Sequence, residues 1–374
     1  MTLDYDILGD LPIDLPLQDL LGAPTNTGHA NHGAADVVVD DQDFPIDPQM
    51  VNNSPEVQDH QIIPGHGSSE SEVSGDLADE ECLATYRAMA PFCSWHSYDP
   101  KKPLHYLVKR FKSFVNDIAT YNKTPFLHQY LYRDQTPSCI LLCFMTATFY
   151  ANRNKNNMPM VMQALHERAL DLIDTEMGRA EVTPIQSLAR TQALFVYQIM
   201  RLLDGDIILR SRSEKDSLLL AKRLDDLCKV RDNLECMTEP SVFTKTTAPE
   251  WHQWVFAESV RRTIVLGYTF ITIYQVMNDP SGADDPGAWA HIHRWTLSHH
   301  LWEAASASDF ERVWKDKPRF VISNYCLANF LENGRGEDVD RFAEILLSAY
   351  LGVDETANLV SVRSTPASSH GIDS

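Results

Sequence analysis

No lysine or arginine occurs before Arg87. The first 86 residues hold 18 of the 52 acidic residues, which leaves 34 acidic against 32 basic residues for the rest. The formal charge of -20 therefore belongs to the leading stretch, and the remainder is close to neutral. A segment that carries one sign of charge and few large apolar groups cannot bury enough surface to offset the entropy of ordering it. Residues 1–80, rich in Asp, Pro, Gly, Asn, Ser and His and without sustained periodicity, read as a disordered acidic tail. The fold must lie downstream: the chain as a whole has 374 residues and 44% hydrophobic content, which leaves ample material for a core after the tail.

The tail has its own pattern. Leu8, Leu11, Leu15 and Leu20 are interleaved with Asp6, Asp10, Asp14 and Asp19, and a weaker patch runs from Val37 to Ile46. Acidic and apolar residues in alternation mark activation segments, in which like charges keep the apolar side chains solvated and available to a partner groove. A solubilising tail is the plainer alternative.

From about Leu104 the spacing becomes helical. Leu104, Leu107, Phe111, Phe114, Ile118 and Tyr121 fall three and four apart and predict one amphipathic helix. Ser138 to Ala151 is apolar all round, which places it at the centre of a bundle. Further helices are predicted over Met160–Met177, Ile185–Leu203 and Ser213–Leu234, the second opened by a Thr183, Pro184, Gln186 capping box. Shorter ones follow at Trp295–Ala305, Phe310–Trp314, Phe320–Leu331 and Val339–Leu351. Few segments alternate with period two, so no sheet is expected. The reading is all-α, about ten helices over residues 85–355, with 356–374 a second disordered tail.

One helix concentrates more chemistry than the others. Trp251 to Ile271 carries two indoles, Trp251 and Trp254, and Glu258 three and four residues before Arg261 and Arg262. Thr247 and Glu250 stand at capping-box spacing before it, and Asn278-Asp279-Pro280 ends it. Two readings compete for Glu258, Arg261 and Arg262: a structural group that sets how neighbouring elements meet, and a ligand or partner site. The structural role is the simpler.

Little else points to catalysis. Asp225-Asp226 and Asp284-Asp285 lack the further carboxylates of a helical magnesium site. His291, His293, His299 and His300 cluster, but adjacent histidines diverge on a helix and no HExxH occurs. No P-loop, GxGxxG or GxSxG is present, so the chain is read as a non-enzyme without cofactors or metals. The seven cysteines are scattered and odd in number, which suits reduced thiols inside a cell. No secretory signal is read at the start, and no apolar run is long enough for a membrane span. Lys101, Lys102, Lys109, Arg110 and Lys112, and Arg210, Arg212, Lys215, Lys222 and Arg223, are the densest basic groups, and both read as solvated helix faces.

Four segments resemble, in order, the helical regulatory domain of fungal zinc-cluster transcription factors. They are Lys123-Thr-Pro-Phe-Leu-His-Gln-Tyr-Leu-Tyr132, Trp251-x-x-Trp254-x-x-x-Glu258-Ser259-x-x-Arg262-Thr263, His300-Leu-Trp-Glu-Ala304 and Asp340-Arg-Phe-Ala-Glu-Ile-Leu-Leu-Ser-Ala-Tyr-Leu-Gly352. The branch they are most similar to includes sterol-responsive regulators and the acriflavine sensitivity control protein. The resemblance implies an α-helical domain that restrains or supports an activation segment, often dimerises, and in some members binds a small apolar ligand. The family's six-cysteine zinc cluster has no counterpart here, since no CxxC occurs, and direct DNA binding by these residues is in doubt.

The expected function is a nuclear transcriptional regulator or co-regulator of a metabolic or secondary-metabolite gene programme. Its expected partners are a transcriptional coactivator or a zinc-cluster factor, as a homo- or heterodimer, with no membrane involved. Two alternatives stay open: a helical receptor or enzyme with a ligand held near Trp254 and Phe270, and a decoy that dimerises with full-length zinc-cluster factors.

Overall fold

The computed structural model describes residues 93–174, 182–232, 234, 248–278, 294–323 and 326–363. Leu8, Leu11, Leu15 and Leu20, the expected activation segment, lie outside the described residues, as does Thr247. Among the described residues there are eleven α-helices, two short strands and two 3-10 turns, Ser94–Tyr98 and Gly336–Asp338. The long helices are α1 (Pro103–Tyr121), α2 (Ser138–Ala151), α3 (Met158–Asp174), α4 (Pro184–Leu203), α5 (Ile207–Asp232) and α6 (Trp251–Asn278). After them come β1 (Arg294–Leu297), α7 (His299–Trp302), α8 (Ala307–Asp316), β2 (Phe320–Ser323), α9 (Ala328–Asn333), α10 (Arg341–Tyr350) and α11 (Val353–Arg363). The class is all-α, as the periodicity predicts.

Local chemistry accounts for four of the helix starts. The Thr183–Gln186 capping box forms in both directions and opens α4. Asp340 caps α10 by accepting from Ala343 N at 2.8 Å, and Ser306 caps α8 through Asp309 N. Glu250 contributes to the start of α6: its carboxylate accepts from the backbone N–H of His252 and of Gln253.

The helix at the centre is α4, not α2. Every residue from Leu188 to Leu203 is buried, whereas α2 leaves Leu141 53% and Met145 61% exposed. Centrality was hidden in α4 because its polar residues find partners inside the core. Gln192 donates to the Phe126 carbonyl and to Thr263 Oγ1 and accepts from the Tyr132 hydroxyl; Arg201 pairs with Asp216 at 2.8 Å. Phe195 of α4 packs with Phe111, Phe126 and Phe270, with ring centroids 4.9–6.1 Å apart among the contacting pairs.

A two-stranded antiparallel sheet replaces the start of two predicted helices. Trp295 pairs with Ile322 and Leu297 with Phe320, so the helices predicted over Trp295–Ala305 and Phe320–Leu331 begin only at His299 and Ala328. Four-residue strands are too short to show a period, and their partners lie more than twenty residues apart in sequence. The chain also stays helical to Arg363 rather than turning irregular at 356. Gly352, at φ 103°, reverses the backbone in a left-handed conformation, and the buried Thr356 then bonds to its carbonyl.

Candidate functional site

The charged group on α6 is fully buried. Glu258 and Arg262 are each 0% exposed and Arg261 only 4%, so the structural reading of these residues must explain how two guanidiniums survive out of water. Helical spacing supplies the first partners: Glu258 Oε2 accepts from Arg261 Nε at 2.9 Å and Oε1 from Arg262 Nε at 3.0 Å. The rest of the neutralisation is long-range. Arg262 Nη1 meets Asp340 Oδ2 at 2.5 Å and donates to the Pro125 carbonyl at 3.3 Å, and Nη2 donates to the Thr296 carbonyl at 3.2 Å. Thr296 returns a bond from its own N–H to Glu258 Oε1 at 2.9 Å. Two carboxylates thus balance two guanidiniums, and the outer edge of β1 is paired by α6 side chains rather than left open.

The planar face of Arg262 is used as well. Its guanidinium carbon sits 3.9 Å from the centroid of the Trp302 ring and 4.7 Å from that of Phe342. Arg262 alone therefore touches all four segments in which the family resemblance was read: Pro125 in the first, Glu258 in its own, Trp302 in the third, and Asp340 with Phe342 in the last. Only a rigid, always-charged fork with two usable faces makes this set of contacts, and a lysine at the position would lose most of them. Sequence spacing predicted the contacts to Glu258. It gave no signal for Asp340, Pro125 or Thr296, which lie 78, 137 and 34 residues away.

Burial governs the titration of this region. It pushes the Glu258 carboxyl up, but the Arg261 and Arg262 guanidiniums and the Thr296 N–H outweigh it and hold Glu258 below its ordinary value. His128, in the first segment, is 3% exposed and hydrogen-bonded through Nε2 to the Trp302 carbonyl at 2.8 Å. Desolvation, helped by nearby Arg262, lowers its pKa to about 4, so it is a neutral, structural imidazole.

The two indoles supply area around this junction. Trp254 packs on Phe310, which packs on Trp314, and Trp251 packs on Tyr130. Phe270 belongs to a different hydrophobic cluster, against Phe111 and Phe195. Sixteen helical residues separate Trp254 from Phe270, roughly 24 Å of rise, so the two side chains lie in separate parts of the core. Of the basic groups, Arg223 is buried and Arg110 is paired with Glu344 at 2.8 Å, so neither forms an uninterrupted solvated face.

The chain is similar to a fungal transcription factor. It is 21% identical over 263 residues to the transcription factor gsfR2 of Penicillium aethiopicum, a match that takes in 68% of this chain and 60% of that protein. The chain thus spans less than two thirds of the length of this relative. No family model and no solved structure matches. Among the described residues no group of three or more His, Cys, Asp or Glu is placed to hold a metal ion, and no helix is long and apolar enough to cross a membrane. His299 and His300 stack edge to face at 5.7 Å, while His291 and His293 lie outside the described residues.

Proposed function

We propose that this protein is a fungal transcriptional regulator or co-regulator, in which the helical domain governs or supports an acidic activation segment in residues 1–60. The observation that carries the reading is the similarity to a fungal transcription factor over 68% of the chain. Two further observations support it. The buried junction joins segments that the resemblance singles out, and its four charged side chains are paired with one another. The regulator is proposed to act in the nucleus on a metabolic or secondary-metabolite gene programme. Its partners are proposed to be a coactivator that receives the leucine-rich tail and a zinc-cluster factor, or a second copy, that supplies contact with DNA.

Residues 1–60 tethered to a heterologous DNA-binding domain are expected to activate a reporter. Replacing Leu8, Leu11, Leu15 and Leu20 together by Ala removes the apolar contacts while leaving the charge, and is expected to abolish activation. Activation that survives this replacement overturns the proposed role of the tail.

A further inference from the structure

A cleft of about 380 Å³ opens beside the junction, between the end of α1, the turn at Lys123–Pro125, α7 and the first turn of α10. Its buried base is formed by Pro125, Trp302, Asp340 and Phe342, the same residues that hold Arg262 from the inner side. Its outer walls carry two ion pairs: Lys123 with Glu303 at 2.7 Å, and Arg341 with Asp117 at 3.1 Å. The volume lies in the range of small-ligand sites.

The lining restricts what fits. Asp340 is committed to Arg262 and to the cap of α10. Beside His299, Tyr121 and Thr124, the lining then carries two cations and two anions, so a ligand of one sign gains no net attraction from the two ion pairs. A wholly apolar ligand would strip water from four charged groups and return no hydrogen bond. A ligand with one carboxylate and one ammonium meets both needs. Lys123 and Arg341 each use one N–H in their ion pair, which leaves donors for a carboxylate, and the oxygens of Glu303 and Asp117 can accept from an ammonium. An aromatic or aliphatic body would then lie on Pro125, Trp302 and Phe342.

We infer that this cleft is a binding site for a small zwitterion with an apolar body, of the amino-acid or dipeptide class. The inference concerns binding by the purified chain and goes beyond the transcriptional reading; reporter output plays no part in its test. Because the base of the cleft is the outer side of the Arg262 junction, an occupant would brace the four segments that Arg262 joins.

Titration calorimetry on the full chain tests it with L-phenylalanine and L-alanyl-L-phenylalanine, compared with phenethylamine and hydrocinnamate. The last two keep the aromatic ring and lose the carboxylate or the ammonium. At least one zwitterion is expected to bind about tenfold or more tighter than either singly charged analogue. Arg341→Met and Lys123→Met are each expected to weaken that binding about tenfold while leaving the melting temperature of the free chain unchanged. Equal affinity for all four probes, preference for a singly charged one, no binding of either zwitterion, or binding untouched by both substitutions overturns the proposal.

Discussion

Replacing Glu258 by Ala strikes the junction where local and long-range contacts meet. The carboxylate is fully buried and takes three hydrogen bonds, from Arg261 Nε, Arg262 Nε and Thr296 N. Its loss leaves two buried guanidiniums facing a single carboxylate, that of Asp340. Breaking a buried ion pair by removing one partner costs about 3–5 kcal/mol. The orphaned Thr296 N–H adds about 1–3 kcal/mol, part of which overlaps with the first figure. A loss of about 4 kcal/mol is therefore expected, which for domains of 150–250 residues lowers the melting temperature by roughly 8–16 °C. Urea unfolding and thermal melts of the full chain, followed by circular dichroism, measure both quantities. The surface pair on α8, Glu311 with Lys315 at 2.7 Å, is the control: it has the same spacing and sign but full solvation. Glu311→Ala is expected to leave the melting temperature where it was. If Glu258→Ala costs less than about 1 kcal/mol, the network does not hold the domain in the way argued from its burial.

Three further outcomes are expected. Because His128 falls from an ordinary 6.5 to about 4 in the fold, the unfolded chain binds the extra proton between those values. Stability is then fully present above pH 6.5 and is lost as pH falls toward 4, by about 3 kcal/mol; urea midpoints across that range should slope accordingly, and His128→Gln should flatten the slope. Gly267→Ala would place a Cβ 2.6 Å from Leu224 Cδ2, in the buried contact of α5 with α6; overpacking of about 1–3 kcal/mol outweighs the gain in helix propensity of about 1 kcal/mol. Unfolding is expected at lower urea, and the cost of Gly267→Ala should shrink when it is measured in a Leu224→Ala background. Trp254→Ala empties the contact with Phe310 and is expected to cost about 3–5 kcal/mol by the same measurement, at a residue 4% exposed.

How far the sequence led depended on whether the deciding contact was local. The stripe from Leu104 to Tyr121, the Thr183 capping box and the Glu258 to Arg262 spacing are properties of one helix each, and the structure shows them as read except at Tyr121, which is exposed. The four segments of the resemblance gave no sign of where they meet, because that point is the fork of Arg262 reaching across 137 residues to Pro125 and 78 to Asp340. The strands escaped because four residues carry no period, and their pairing is itself non-local. An apolar composition was misleading for α2, which keeps Leu141 and Met145 at the surface, while α4 holds glutamines and an arginine in full burial by giving each a partner. The cleft beside the junction had no sequence signal, since its walls come from four separate elements.

Arg262 ties α10 to α6 through Asp340, and a double-mutant cycle measures that tie. Asp340→Asn keeps the helix cap but removes the charge, and Arg262→Met keeps the aliphatic volume but removes the fork. Urea unfolding of the wild type, both single variants and the double variant is expected to give a coupling of about 2 kcal/mol. Losses that add to within about 0.5 kcal/mol would contradict it, and with it the view of this residue as the point where the four segments are joined.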